Sequence, residues 1–195
     1  MKTQLLALAI LLNVTVSFAQ LTSTFTDARD GKVYKTVQIG KQIWMAENLA
    51  YKAGSGCWAY GDNAENVARY GYLYDFETAI TACPPGWHVP TDEEWNVLTE
   101  YLGNQDSCGR KLKSGTGWSS PNDTLANSTK FTALPGGLRF MGGTYDRLGV
   151  KGFWWSSTES ESHMAWYRSI LSDDNKVNRY DDYKDYGLSV RCIKD

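Results

Sequence analysis

Apolar positions alternate in twos early in this chain, recur at helical spacing in its middle, and alternate again toward its end. Val33–Ile39 and Gln42–Met45 read as two strands joined around Gly40-Lys41, with Asp30-Gly31 as a turn signal ahead of them. Residues 51–69 are rich in Gly, Asn and Asp and read as an irregular loop. The aromatic stretch Tyr70-Gly71-Tyr72-Leu73-Tyr74 leads into a helix over 75–81, with Ala79 and Ile80 available for packing. Pro84, Pro85 and Gly86 then make a rigid turn, because proline fixes φ and cannot donate to a strand. Thr91-x-x-Glu94 is the pattern of a capping box. Trp95, Leu98 and Leu102 follow on one face of a helix over 92–101, and Gly103-Asn104 stops it.

Residues 103–130 return to loop composition, with Trp118 placed to pin the loop to the body. A connection of that length inside one domain is uncommon and often functional when ordered. The last third is β-like, with segments near 131–134, 138–140, 153–158, 163–170, 176–180 and 187–193. In the final segment Leu188, Val190 and Cys192 share one face. Two helices, a small antiparallel sheet and long loops predict an α+β domain.

The ends change the picture of where such a domain works. Residues 1–19 read as a secretory signal: Lys2, an apolar run from Leu5 to Leu12, and Ser17-Phe18-Ala19 as a small-x-small cleavage site. The run is shorter than the roughly 20 residues a membrane-spanning helix needs. No transmembrane segment is expected after cleavage, and no cysteine follows the site to carry a lipid anchor. Residues 20–29 read as a flexible polar lead-in and 30–195 as one domain, secreted or at the cell surface. A formal charge of -2 leaves no basic excess for nucleic acid.

The conspicuous chemistry is aromatic: eight Trp and twelve Tyr supply core, a sugar-stacking surface, or both. Trp87 and Trp95 are assigned to the core. Trp58, Trp118 and Tyr145 fall in loops and are the candidates for a ligand platform. Trp154 and Trp155 are neighbours on one strand and point to opposite faces, so on a one-sided sheet one of them meets a loop layer or groove. Trp155 joins the candidates on that ground.

Catalysis has little support. His88 and His163 are far apart, and neither a Gly-x-Ser-x-Gly elbow nor a His-Glu-x-x-His helix occurs. Nothing identifies a facing pair among Glu77, Glu93, Glu94, Glu159 and Glu161. The Asp and Asn residues at 173–175, 181, 182 and 185 fit no EF-hand spacing and read as turn formers, so no cofactor is expected and calcium has no motif behind it. Cys57, Cys83, Cys108 and Cys192 all lie in the exported part, form no zinc pattern, and allow three disulfide pairings.

Several spaced motifs carry a resemblance. Trp44-Met45-Ala46-Glu47-Asn48-Leu49, Tyr70-Gly71-Tyr72-Leu73-Tyr74, Cys83-Pro84-Pro85-Gly86-Trp87-His88-Val89-Pro90-Thr91, Leu134-Pro135-Gly136-Gly137, Trp154-Trp155-Ser156-Ser157-Thr158-Glu159 and Ser189-Val190-Arg191-Cys192 resemble the Fibrobacter succinogenes major paralogous domain family over residues 30–194. That family is similar in fold to C-type lectin-like domains and to the formylglycine-generating enzymes. The resemblance implies a C-type lectin-like frame and a Cys83–Cys192 bridge. Cys57 would then face Cys108, but Val67 stands where the family pattern places a second nearby cysteine, so that pairing stays open. The calcium triplets of sugar-binding lectins, Glu-Pro-Asn or Gln-Pro-Asp, do not occur. No general activity comes with the family. The expected function is a non-catalytic binding or adhesion module for polysaccharide. The alternatives are an enzyme related to formylglycine generation, using Cys57 and Cys108 as a reactive pair, or a structural surface protein that binds other proteins.

Overall fold

The structure is a computed structural model that describes residues 21–120 and 125–195; the expected secretory signal over 1–19 lies outside them. In chain order the elements are β1 (Thr22–Thr26), β2 (Val33–Ile39), β3 (Gln42–Met45), β4 (Cys57–Trp58), α1 (Glu65–Tyr70), β5 (Leu73–Tyr74), α2 (Phe76–Ala82), β6 (Trp87–His88), α3 (Asp92–Tyr101) and α4 (Gly109–Leu112). Then come β7 (Gly136–Arg139), β8 (Tyr145–Leu148), β9 (Lys151–Glu161), β10 (Met164–Leu171), β11 (Asn178–Tyr183), β12 (Leu188–Ser189) and β13 (Ile193–Lys194). The fold is α+β. One sheet runs β1-β2-β3-β13-β6, a second runs β11-β10-β9-β12-β5-β4, and β7 and β8 form a separate hairpin.

Two expectations for non-regular chain are corrected. The lead-in over 20–29 contains β1, which pairs antiparallel with β2 so that Thr24 lies opposite Lys35. Threonine and phenylalanine favour an extended, half-buried surface, and Phe25 packs on Trp87 with ring centroids 5.1 Å apart. The 51–69 segment holds β4, a single 3₁₀ turn at Tyr60–Asp62, and α1. It is short local structure that no apolar periodicity announces.

The two expected helices form as their caps dictate. Asp75 caps α2 by accepting the Thr78 N–H at 2.8 Å. Thr91 and Glu94 close the capping box of α3 reciprocally. Trp95 and Leu98 of α3 enter the core with Leu102 just beyond it, while Val97 faces solvent. Ile80 of α2 is also exposed, so α2 packs through Phe76, Ala79 and Ala82 instead.

The long sheet is buried on both faces, which overturns the one-sided picture of Trp154 and Trp155. Trp154 packs with Val37, Trp44, Trp95 and Phe131 on one side. Trp155 packs with Tyr34, Tyr74, Phe76 and Tyr167 on the other. Opposite faces are retained, but both faces are covered, so both indoles are core. The Cys83–Cys192 disulfide joins the end of α2 to the segment between β12 and β13 across a sequence separation of 109. Closing a loop of that length stabilises the fold by about 4–5 kcal/mol in the chain-entropy account.

His88 ties the two ends of this frame. Its Nδ1 lies 2.7 Å from Asp195 Oδ1 and its Nε2 lies 3.0 Å from Oε1 of Glu94, the capping-box carboxylate. Burial opposes the imidazolium, but the Asp195 and Glu94 carboxylates outweigh it and raise the His88 pKa above its ordinary value. A raised folded pKa stabilises fully below the unfolded value of about 6.5, and the contribution is lost as pH rises through the folded value. The thermal midpoint should therefore fall as pH is raised through that window. His88→Gln should flatten the slope; an unchanged slope in calorimetry would count against the link.

Candidate functional site

The aromatic candidates separate into core and surface. Trp155 is fully buried, its Nε1 donating to Tyr74 O at 2.8 Å and its ring meeting Phe76 edge-on at 5.7 Å. Trp118 is buried as well. Its Nε1 donates to Ala133 O at 3.2 Å, and its ring lies under the Lys113 ammonium. Neither offers a face to a ligand. The loop around Trp118 folds onto the core because the indole finds both apolar cover and an acceptor there.

Trp58 and Tyr145 do come together, through a residue that sequence reasoning missed. Trp58 lies on β4, paired with Leu73 of β5, and Tyr145 opens β8 opposite Arg139 of β7. The Arg139 guanidinium sits 4.0 Å from the centroid of the Trp58 ring and 6.0 Å from that of Tyr145. Tyr60 closes the row, 5.2 Å from Tyr145. The Tyr145 hydroxyl donates to the Asp62 carboxylate. All three rings are half-buried, with Asp62, Asp146 and Arg147 exposed around them.

Two glycines make this approach possible. At Gly187 a Cβ would lie 3.0 Å from Arg139 Cβ and 3.3 Å from Trp58 Cε3. Gly137 has φ +66, and a Cβ there would come within 2.7 Å of the Tyr60 ring. No local signal marks Arg139 as functional, since it reaches Trp58 only through the pairing of β7 with β8 and its bridge to Gly187.

Burial raises the Tyr145 phenol pKa, and Asp62 raises it further; burial raises Tyr60 in the same sense. The Arg139 guanidinium lies over the Trp58 indole, a favourable cation–π arrangement. Its Nε is buried with no hydrogen-bond partner. The patch thus combines three half-buried rings with a guanidinium and a carboxylate. Among the described residues, no three of His, Cys, Asp and Glu gather to hold a metal ion.

The sequence profile of the Fibrobacter succinogenes major domain matches residues 37–194. The chain belongs to that family. No curated protein and no solved structure in the comparisons matches it. In this Fibrobacter succinogenes major domain, the patch residues Trp58, Tyr60, Arg139 and Tyr145 lie inside the matched span but outside the motifs that carry the resemblance. Trp44, Asn48, Tyr74, Trp154, Arg191 and Cys192, which lie within those motifs, are all buried.

The open pairing of Cys57 with Cys108 is not formed, and both thiols are free. Cys57 packs against the cluster that holds Trp155, whereas Cys108 is fully buried in the cluster that holds Trp154. The two sulfurs therefore belong to opposite sides of the sheet. Burial raises the Cys57 thiol pKa and pushes that of Cys108 up to about 12. Both shifts disfavour the thiolate that reactive cysteine chemistry needs. Alkylation of the native chain should modify Cys57 well before Cys108, and denaturation without reductant should expose both. Non-reducing peptide mapping checks this; a Cys57–Cys108 disulfide peptide would contradict it.

Proposed function

We propose that this chain is a secreted or surface-held, non-catalytic module that binds polysaccharide on the Trp58–Arg139–Tyr145 patch, within a C-type lectin-like frame. The observation that carries the reading is the convergence of Trp58, Tyr60 and Tyr145 around one guanidinium on a half-exposed surface. Sugars present apolar C–H faces and rims of hydroxyls. Half-buried rings held by backbone pairing supply the first contact without ordering a loop at binding. Arg139 and Asp62 supply donors and acceptors for the second. The Cys83–Cys192 bond supports export, because structural disulfides persist in oxidising compartments. The same bond supports the lectin-like frame, since it joins a helix end to the chain just before the closing strand. Among the described residues no helix is long and apolar enough to cross a membrane.

Retention on arrays of glycans and cell-wall polysaccharides tests the reading. Trp58→Ala should weaken retention by about tenfold, the scale of one lost aromatic contact. Tyr145→Phe should weaken it less, since the ring remains and only the hydroxyl that reaches Asp62 is lost. Retention on no surface, or retention indifferent to Trp58→Ala at an unchanged unfolding midpoint, would sink the proposal.

A further inference from the structure

A cleft of about 720 Å³ opens between the first sheet and the loop over 127–132, and none of its lining residues belongs to the Trp58–Arg139–Tyr145 patch. One wall is β1 and β2; Thr24 pairs with Lys35 there and shares its face with Thr22, while Ser23 and Thr36 alternate to the opposite face. Lys130 stands on the other, beside Asn127 and Thr132. Among the described residues no aromatic ring lines the cleft, so the apolar face of a neutral sugar finds no platform on them. Hydroxyls and ammonium groups line it instead.

Neither Lys35 nor Lys130 makes an ion pair among the described residues. The acid that faces Lys35 is Glu47, and its Oε2 accepts the Lys35 backbone N–H at 2.9 Å. Two lysines thus line one cleft. A serine or threonine hydroxyl both donates and accepts, which matches the hydroxyls of a saccharide.

The Lys130 wall is held in a costly conformation. Asn127, Lys130 and Thr132 all adopt left-handed φ, at 56°, 60° and 58°. That region is disfavoured for ordinary side chains and most of all for a β-branched one. Fixed hydrogen bonds keep it in place. Thr132 N donates to Asn127 Oδ1 at 2.9 Å, Thr129 Oγ1 donates to Lys111 O at 2.8 Å, and Arg191 Nη1 donates to Phe131 O at 2.6 Å. A wall ordered before the ligand arrives lowers the cost of binding.

We propose that this cleft takes an acidic saccharide, its carboxylates on Lys35 and Lys130 and its hydroxyls against Thr22, Thr24 and Thr132. The inference rests on reading the chain as a glycan-binding module and adds the charge class of the glycan. It assigns a second contact surface, distinct from the aromatic patch. Affinity at this surface depends on salt, because charge carries it.

Calorimetric titration of the purified chain with an oligogalacturonate is the test, with its methyl-esterified form as the uncharged probe. The double variant Lys35→Gln/Lys130→Gln alters two side chains that make no ion pair, and its unfolding midpoint verifies the fold. It should bind oligogalacturonate about tenfold more weakly and lose most of the salt dependence. The esterified probe should bind the parent chain no better than it binds the variant. Equal binding of oligogalacturonate by parent and variant overturns the cleft assignment, as does no binding by the parent or equal affinity for the esterified probe. Trp58→Ala separates the two readings. If it abolishes neutral-glycan retention while the lysine variant changes nothing, the patch stands and the cleft falls. If oligogalacturonate binding depends on the lysines but no glycan responds to Trp58→Ala, the cleft stands and the patch falls.

Discussion

One buried cation organises the joints of this fold. Arg191 is wholly inaccessible; neutral acceptors hold both of its Nη atoms, Nε has no hydrogen-bond partner among the described residues, and the Glu47 carboxylate offsets only part of the cost of burial. Nη1 donates to Met45 O at 3.1 Å and to Phe131 O at 2.6 Å, and Nη2 donates to Asn48 Oδ1 at 2.6 Å. Asn48 passes the link onward, donating to Tyr70 O at 2.8 Å while accepting the Trp154 indole N–H at 2.9 Å. The guanidinium also lies over the Phe131 ring. Burial pulls the Arg191 pKa down to about 9, which still leaves the group charged at neutral pH. A charge at such a site persists only where surrounding dipoles hold it, and removing one of them leaves a buried guanidinium N–H without its acceptor. The network joins β3, the end of α1, β9, the segment before β13 and the loop over 127–132. The wall of the polar cleft is therefore an outlying part of the core network.

This explains how the motifs relate to function. Residues that carry the family resemblance are structural: Trp44 packs at a tilt against Trp95, Cys192 closes the disulfide, Asn48 and Arg191 form the hub, and Trp154 and Trp155 fill opposite faces of one sheet. The candidate contact surfaces lie elsewhere. Trp58, Tyr60, Arg139 and Tyr145 form one, and most of the cleft's first wall, including Lys35, precedes the matched span of 37–194. The shared frame and the surface chemistry occupy different residues, so family membership describes the frame and is silent about the ligand.

What could be read from the sequence was what local chemistry determines. Thr91 and Glu94 announce α3 because the capping box is a contact between residues three apart. Gly40-Lys41 announces the β2–β3 hairpin for a similar reason. What could not be read depends on partners distant in sequence. Trp155 looked like a surface ring because alternation gives a side chain's face but not whether that face is covered. Arg139 carried no signal, since Trp58, 81 positions earlier in the chain, reaches it only through the sheet and hairpin. β1 was masked by its polarity: as the edge strand of its sheet it leaves its hydroxyls in solvent.

A double-mutant cycle between Arg191 and Asn48, read by urea unfolding, tests this account most directly. Arg191→Met, Asn48→Ala and the pair together should show a coupling of at least about 1.5 kcal/mol, because Asn48→Ala removes the short acceptor of Arg191 Nη2 and Arg191→Met removes one of the two donors to Asn48 Oδ1. Losses that add to within about 0.5 kcal/mol would show the two residues acting independently and would contradict a hub at the centre of the fold.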